Sequence, residues 1–153
     1  MNIRIFHNND TQEIMQLFYD TVHNINIRDY TQEQVDAWAP EDMDYQRWNQ
    51  NLHSKMTYVA EIDRKIVGFA QLETNGHIDC FYCHQDFQGM GVGSQLLNTI
   101  ETKAKELGIK RLFTEASITA KGFFERRGFQ VIKQQEVELR GMKFINYCMD
   151  KEI

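Results

Sequence analysis

One short segment constrains this chain more than any other: Gln88-Gly89-Met90-Gly91-Val92-Gly93-Ser94. Before it, His77 to Cys83 reads as a strand. After it, Val92, Leu96, Leu97, Ile100, Ala104 and Leu107 recur on one helical face, and Gly108 ends the run. Three alternating glycines remove Cβ atoms where a ligand must approach the backbone. The first turn of the helix adds unpaired N–H groups and the positive end of the helix dipole. Such a site suits a phosphate or pyrophosphate, and Gln88 can add a side-chain donor. It is not a P-loop, because no Gly-Lys-Ser/Thr follows. Nor is it the Gly-x-Gly-x-x-Gly dinucleotide fingerprint, and it sits late in the chain. Taken alone, it is also compatible with a merely tight strand-to-helix turn.

The flanking segments set the fold class. Ile3 to Phe6 reads as a strand, and Asp10 or Thr11 can cap a helix carrying Ile14, Leu17, Phe18, Val22 and Ile25. Thr31 begins a Thr-Gln-Glu-Gln capping box that runs into Val35 and Trp38. Pro40 breaks that helix, and Asp44 to Leu52 forms another. Thr57 to Ile62 and Ile66 to Glu73 make a hairpin around Asp63-Arg64-Lys65, and Asn75-Gly76 turns into the strand before the glycines. Arg111 to Glu115 is a strand, Ala120 to Arg127 a short helix stopped by Gly128, and Phe129 to Leu139 and Met142 to Met149 a last hairpin around Arg140-Gly141. The strand–helix–strand in the middle places two strands parallel. The expected class is a single-domain α/β (α+β) fold over residues 1–153, with a mixed sheet of about seven strands and helices on both faces.

Charge and cysteines exclude several classes. The 17 basic and 22 acidic residues leave a net charge of −5, which argues against a nucleic-acid partner. No apolar run is long enough for a membrane span, and Met1 to Asp10 lacks the apolar core of a signal peptide. A cytoplasmic location is the expectation. Cys80, Cys83 and Cys148 are expected to be reduced thiols. Cys80-Phe81-Tyr82-Cys83-His84 matches a haem-attachment pattern, but strand alternation sends the two cysteines to opposite faces. The same alternation scatters His77, Cys80, Cys83 and His84, so no metal site is expected.

A second block narrows the ligand. Gln-x-x-Gly-x-Gly after a strand resembles the acyl-CoA signature of the GNAT superfamily of N-acyltransferases. Ser117-Ile118-Thr119-Ala120 followed by Phe123-Phe124-Glu125-Arg126-Arg127-Gly128-Phe129 is similar to that family's Asn-x-x-Ala…Phe/Leu-Tyr-Glu-x-x-Gly-Phe. The resemblance covers nearly the whole chain in element order; residues 10–55 match only in kind. It implies a splayed pair of parallel strands holding CoA. Backbone groups near Phe81 and Cys83 would pair with pantetheine. The N–H groups of Gly89, Met90, Gly91, Val92, Gly93 and Ser94, with Gln88, would cradle the pyrophosphate. Ser117 and Phe124 would face the cofactor arm.

The implied reaction moves an acetyl or short acyl group from acyl-CoA to a primary amine of a small molecule, peptide or protein, without a metal. It needs a base, N–H donors for the oxyanion and a route for the thiolate to leave. Candidate bases are Asp79, Glu115 and His77. Phe124 stands where the family's usual proton-donating Tyr would be; Tyr147 or water is the candidate substitute. That departure keeps open a non-catalytic acyl-CoA-binding module. The aromatic residues of the early helices are expected in the core, with Tyr30 and Trp38 the candidates to meet an acceptor. Oligomeric state is left open, a homodimer included.

Overall fold

A computed structural model describes all 153 residues. The strands are β1 (Asn2–Ile5), β2 (Met56–Ile62), β3 (Lys65–Leu72), β4 (Ile78–Cys83), β5 (Arg111–Ser117), β6 (Gln130–Leu139) and β7 (Met142–Glu152). The helices are α1 (Thr11–Asn24), α2 (Gln32–Trp38), α3 (Tyr45–Ser54), α4 (Val92–Glu106) and α5 (Ile118–Arg126). No helix is long and apolar enough to cross a membrane.

The seven expected strands are present, divided by hydrogen bonding into sheets ordered β1-β2-β3-β4 and β5-β7-β6. Within each sheet every neighbour is antiparallel. The sheets meet where β4 and β5 start side by side in parallel, at one bridge between His77 and Phe113. Phe113 N–H donates to Gly76 O at 3.1 Å and Thr114 Oγ1 to Ile78 O at 2.9 Å. Gly76 permits this junction: it has φ +95°, and a Cβ there would lie 2.1 Å from Arg111 O. Beyond the junction the two strands are not paired, and the gap between them is the cleft.

Helices cover both faces. On one, α4, α5 and the turn after α5 bury Leu96, Ile100, Phe124 and Phe129 against Ala70, Ile78, Leu112 and Met149. Gly68 lets α4 settle on β3, since a Cβ there would sit 2.7 Å from Val92 Cγ1. On the other face α1, α2 and α3 bury Ile14, Phe18, Val35 and Leu52 with Val59, Phe69 and Phe144. Burying one such side chain contributes about 1.5–3 kcal/mol, so the two-sided core holds the sheets in place.

Local signals behaved as their chemistry dictates, with two corrections. The Thr31 capping box forms: Gln34 N–H donates to Thr31 Oγ1 at 3.2 Å, and Thr31 N–H to Gln34 Oε1 at 2.8 Å. Asp10 precedes α1 but does not cap it with its side chain; its carboxylate accepts from Arg4 at 2.8 and 3.0 Å and from His7 N–H at 2.7 Å. An ion pair and a turn compete successfully for that carboxylate. The helix expected from Ala120 begins at Ile118, because Ser117 Oγ accepts from Ala120 N–H at 3.0 Å and fixes the start.

Candidate active site

The cleft between β4 and β5 opens into a cavity of about 330 Å³, within the range of small-ligand sites. Phe81, Cys83, Gln88, Ser117 and Phe124 line it, together with Asp79 and Glu115. His77 stands behind these two rather than in the lining.

At the end of β4, His84 N–H pairs with Val67 O across to β3. Strand alternation then turns the N–H and C=O of Phe81 and Cys83 to the unpaired edge, facing the cleft. Cys83 O already accepts from Thr21 Oγ1 at 3.0 Å and from Gln88 Nε2 at 2.8 Å. Gln88 Nε2 also reaches His84 O at 3.2 Å. The Gln88 amide therefore locks the strand exit instead of projecting toward an anion.

The glycines divide their labour. Gly89 and Gly91 have φ +73° and +80°, with nothing within 4 Å of a Cβ built there, so their conformation leaves open backbone at the start of α4. Met90 is 60% exposed between them. Gly93 differs: a Cβ would lie 2.7 Å from the Phe123 ring and 3.5 Å from Cys83 Sγ. It is a packing glycine that seats α5 against α4. Val92 is likewise core by its side chain, offering only backbone to a ligand. Ser94 Oγ is held by the Arg127 guanidinium, which also donates to Phe123 O at 3.2 Å and lies 3.8 Å over the Phe123 ring. Arg127 had no role in the sequence reading, and a basic residue just before Gly-Phe was the available signal.

The three candidate bases come together at the start of β4 and on β5. His77 Nδ1 meets Glu73 Oε1 at 2.6 Å and Nε2 meets Glu115 Oε1 at 2.8 Å. Burial works against the imidazolium, but the hydrogen bonds to Glu73 and Glu115 outweigh it, and the His77 pKa is raised. Asp79 is paired with Lys55, whose ammonium also lies 3.8 Å from Glu73. Burial disfavours the Lys55 charge, yet Asp79 and Glu73 raise its pKa above the ordinary value. Glu73, His77 and Asp79 have their ligand atoms within 4.8 Å of one another, as a metal site would, but Lys55 already supplies a cation to the two carboxylates. Glu73 and Lys55 were not singled out by sequence; they reach the cluster only through the β2–β3–β4 pairing.

Hydroxyls and thiols in the cleft are committed or silent. Burial pushes the Cys83 thiol up to about 11, so it is protonated at neutral pH and poorly nucleophilic. Tyr30 OH donates to Ile145 O at 2.7 Å and accepts from Ile118 N–H at 2.9 Å, tying the α2 side to β7 and α5. Phe124 is 2% exposed, with its ring centroid 5.1–5.3 Å from those of Phe81, Phe123 and Phe129. Tyr147 does not line the cavity; its ring lies beneath Lys121 Nζ at 5.1 Å.

Residues 26–151 match the family model described as an acetyltransferase (GNAT) domain. The chain is 36% identical over 149 residues to the uncharacterized N-acetyltransferase YafP of Escherichia coli (strain K12), covering 97% of this chain and 94% of that one. Among solved structures it is similar to a GCN5-related N-acetyltransferase from Rhodopseudomonas palustris, with TM-score 0.96 and 30% identity over 99% of this chain and 95% of that one. It shares the fold of the PaiA N-acetyltransferase from Thermoplasma acidophilum, solved in complex with coenzyme A, with TM-score 0.80 and 17% identity over the full length of both.

Proposed function

Because the chain belongs to the GNAT acetyltransferase family, we propose that it transfers an acetyl group from acetyl-CoA to a primary amine by direct attack. The observation that carries this reading is the alignment of three parts along β4. The open backbone of Gly89 and Gly91 suits a pyrophosphate, the unpaired edge at Phe81 and Cys83 suits an extended amide-bearing arm, and Asp79 and Glu115 face the same cavity.

The chemistry follows from those positions. An N–H of the open β4 edge polarises the thioester carbonyl and stabilises the oxyanion. The amine nitrogen attacks the carbonyl carbon, a C–N bond forms, and the C–S bond breaks with its electron pair going to sulfur. The proton lost by nitrogen goes to Glu115, directly or through a water. Glu115 suits this role because it lines the cavity and bonds His77 through Oε1. His77, with its raised pKa between two carboxylates, is a positioning residue, and Asp79 is held by Lys55. The CoA thiolate takes its proton from solvent; an ordinary thiol pKa of about 8.5 makes it a tolerable leaving group without a tyrosine at Phe124.

The test has two arms. Acetyl-CoA should raise the melting temperature where NAD and ATP do not. The protein should then release free CoA thiol when an amine is supplied. Phe124 favours one other reading, an acyl-CoA-binding module without turnover. Stabilisation by acetyl-CoA with no thiol release across amines would select it.

A further inference from the structure

The far wall of the cavity is aromatic. Trp38 from α2 stands edge-on to Tyr30 at 5.3 Å, to Phe144 of β7 at 6.0 Å and to Tyr82 of β4 at 6.5 Å between ring centroids. All four line the cavity, so this is not sealed core. Thirteen of the 22 lining residues are hydrophobic, and none is a lysine, arginine or histidine. The charged side chains among them are the carboxylates Asp79 and Glu115. Behind these, Lys55 and His77 face three carboxylates, counting Glu73. Even with both bases protonated, two positive charges meet three negative ones. On β7, directly across from Ser117 of β5, the Asn146 side-chain oxygen is buried without a partner, although Asn146 also lines the cavity. A half-turn of that carboxamide exchanges its oxygen and NH₂, so a ligand hydrogen bond can satisfy a group the protein leaves unpaired.

We propose that the acceptor is a small primary amine with an aromatic ring and no carboxylate or phosphate. The inference rests on the acetyl-transfer reading above. The ammonium is drawn by the carboxylates and by the faces of the rings. The ring stacks edge-to-face on Trp38 and Tyr82. A carboxylate on the acceptor would be desolvated with no cation in the lining to pair with it, beside two charges of its own sign. The cavity volume is shared with the acyl arm, which leaves room for a molecule of one or two rings and little more.

Matched amines test this directly. With acetyl-CoA held constant, thiol release is followed for phenethylamine against phenylalanine and for tryptamine against tryptophan, with butylamine and spermidine as ring-free amines. The expected kcat/KM is at least about tenfold higher for each ring amine than for its amino acid, since an unpaired buried charge costs more than the ~1.4 kcal/mol that a factor of ten represents, and several-fold higher than for butylamine, which lacks the ring contacts. Trp38→Ala should raise KM for phenethylamine several-fold and leave KM for acetyl-CoA in place, and Trp38→Phe should recover most of the difference. Equal or better turnover of the amino acids or of the ring-free amines overturns the acceptor class and leaves acetyl transfer standing. No turnover of any amine, with acetyl-CoA still raising the melting temperature, overturns both. A ring preference unchanged in Trp38→Ala removes the aromatic wall from the argument and overturns the proposal.

Discussion

The two ends of β4 serve the same cavity but are assembled in opposite ways. At its exit, one run of seven residues makes the turn, and Gln88 folds back onto Cys83 and His84 to hold it. At its start, the polar cluster draws Lys55 from the β2 entry, Glu73 from the end of β3, His77 and Asp79 from β4 and Glu115 from β5. The first is local and rests on backbone conformation. The second is mostly long-range: Glu73 and His77 are four residues apart, but Lys55 and Glu115 reach the cluster from segments that sequence separates by tens of residues. Chemistry that needs only backbone N–H groups can be built from one segment. Chemistry that needs a held carboxylate draws on several.

Substitutions should separate the two ends. The largest effect is expected at the polar end: Glu115→Gln should lower kcat by about 100-fold or more, the range of a lost general base. The melting temperature and acetyl-CoA affinity should stay near wild type. A larger loss in Asp79→Asn would transfer the role to Asp79. At the glycine end, Gly93→Val should cost about 1–3 kcal/mol in chemical denaturation, because its side chain meets Phe123 in a filled space. Gly91→Ala meets nothing and should cost about 1–2 kcal/mol through its left-handed backbone alone. If Gly93→Ala leaves the Phe123 ring undisturbed by NMR, the packing role is wrong.

Arg127→Ala comes next in size. Losing the hold on Ser94 and the contact with Phe123 should raise KM for acetyl-CoA a few-fold without changing the acceptor preference. An altered acceptor preference would mean that the two ends are coupled through α5.

The smallest expected effect is a pH dependence of stability. The folded-state pKa of His77 is raised, so its ion pairs stabilise the fold fully below the unfolded value of about 6.5 and lose that contribution as pH rises through the folded value. The stability difference between wild type and His77→Gln should therefore shrink as the pH rises above about 6.5. A difference that grows with pH would show that His77 is held neutral.

Much of the fold was legible because its signals are local. The capping box at Thr31, the positive-φ pairs Asp63-Arg64 and Arg140-Gly141 in the hairpin turns, and the helical face of α4 each act within a few residues. The glycine turn was legible as a strand-to-helix connection for the same reason, though Gly93 and Gln88 show where spacing stops: both belong to the turn, and only their neighbours reveal that one seats a phenylalanine and the other ties off a strand. Asp10 stands at the N-cap position of α1, but residue type alone does not say that its carboxylate prefers Arg4, six residues upstream, to the helix N–H groups.

The sequence by itself determined that a glycine turn would open a helix after a strand, that β4 and β5 would run parallel, and that Phe124 could not donate a proton. These follow from residue type, alternation and spacing. Only the tertiary structure decided that the sheets part after a single bridge at His77 and Phe113, that Glu115, His77 and Glu73 form one hydrogen-bonded line, and that Trp38, Tyr30, Tyr82 and Phe144 face a cavity instead of closing one. Those outcomes depend on side chains that meet across two sheets, and the physical reason is that pairing and burial are properties of neighbours in space, which spacing along the chain does not encode.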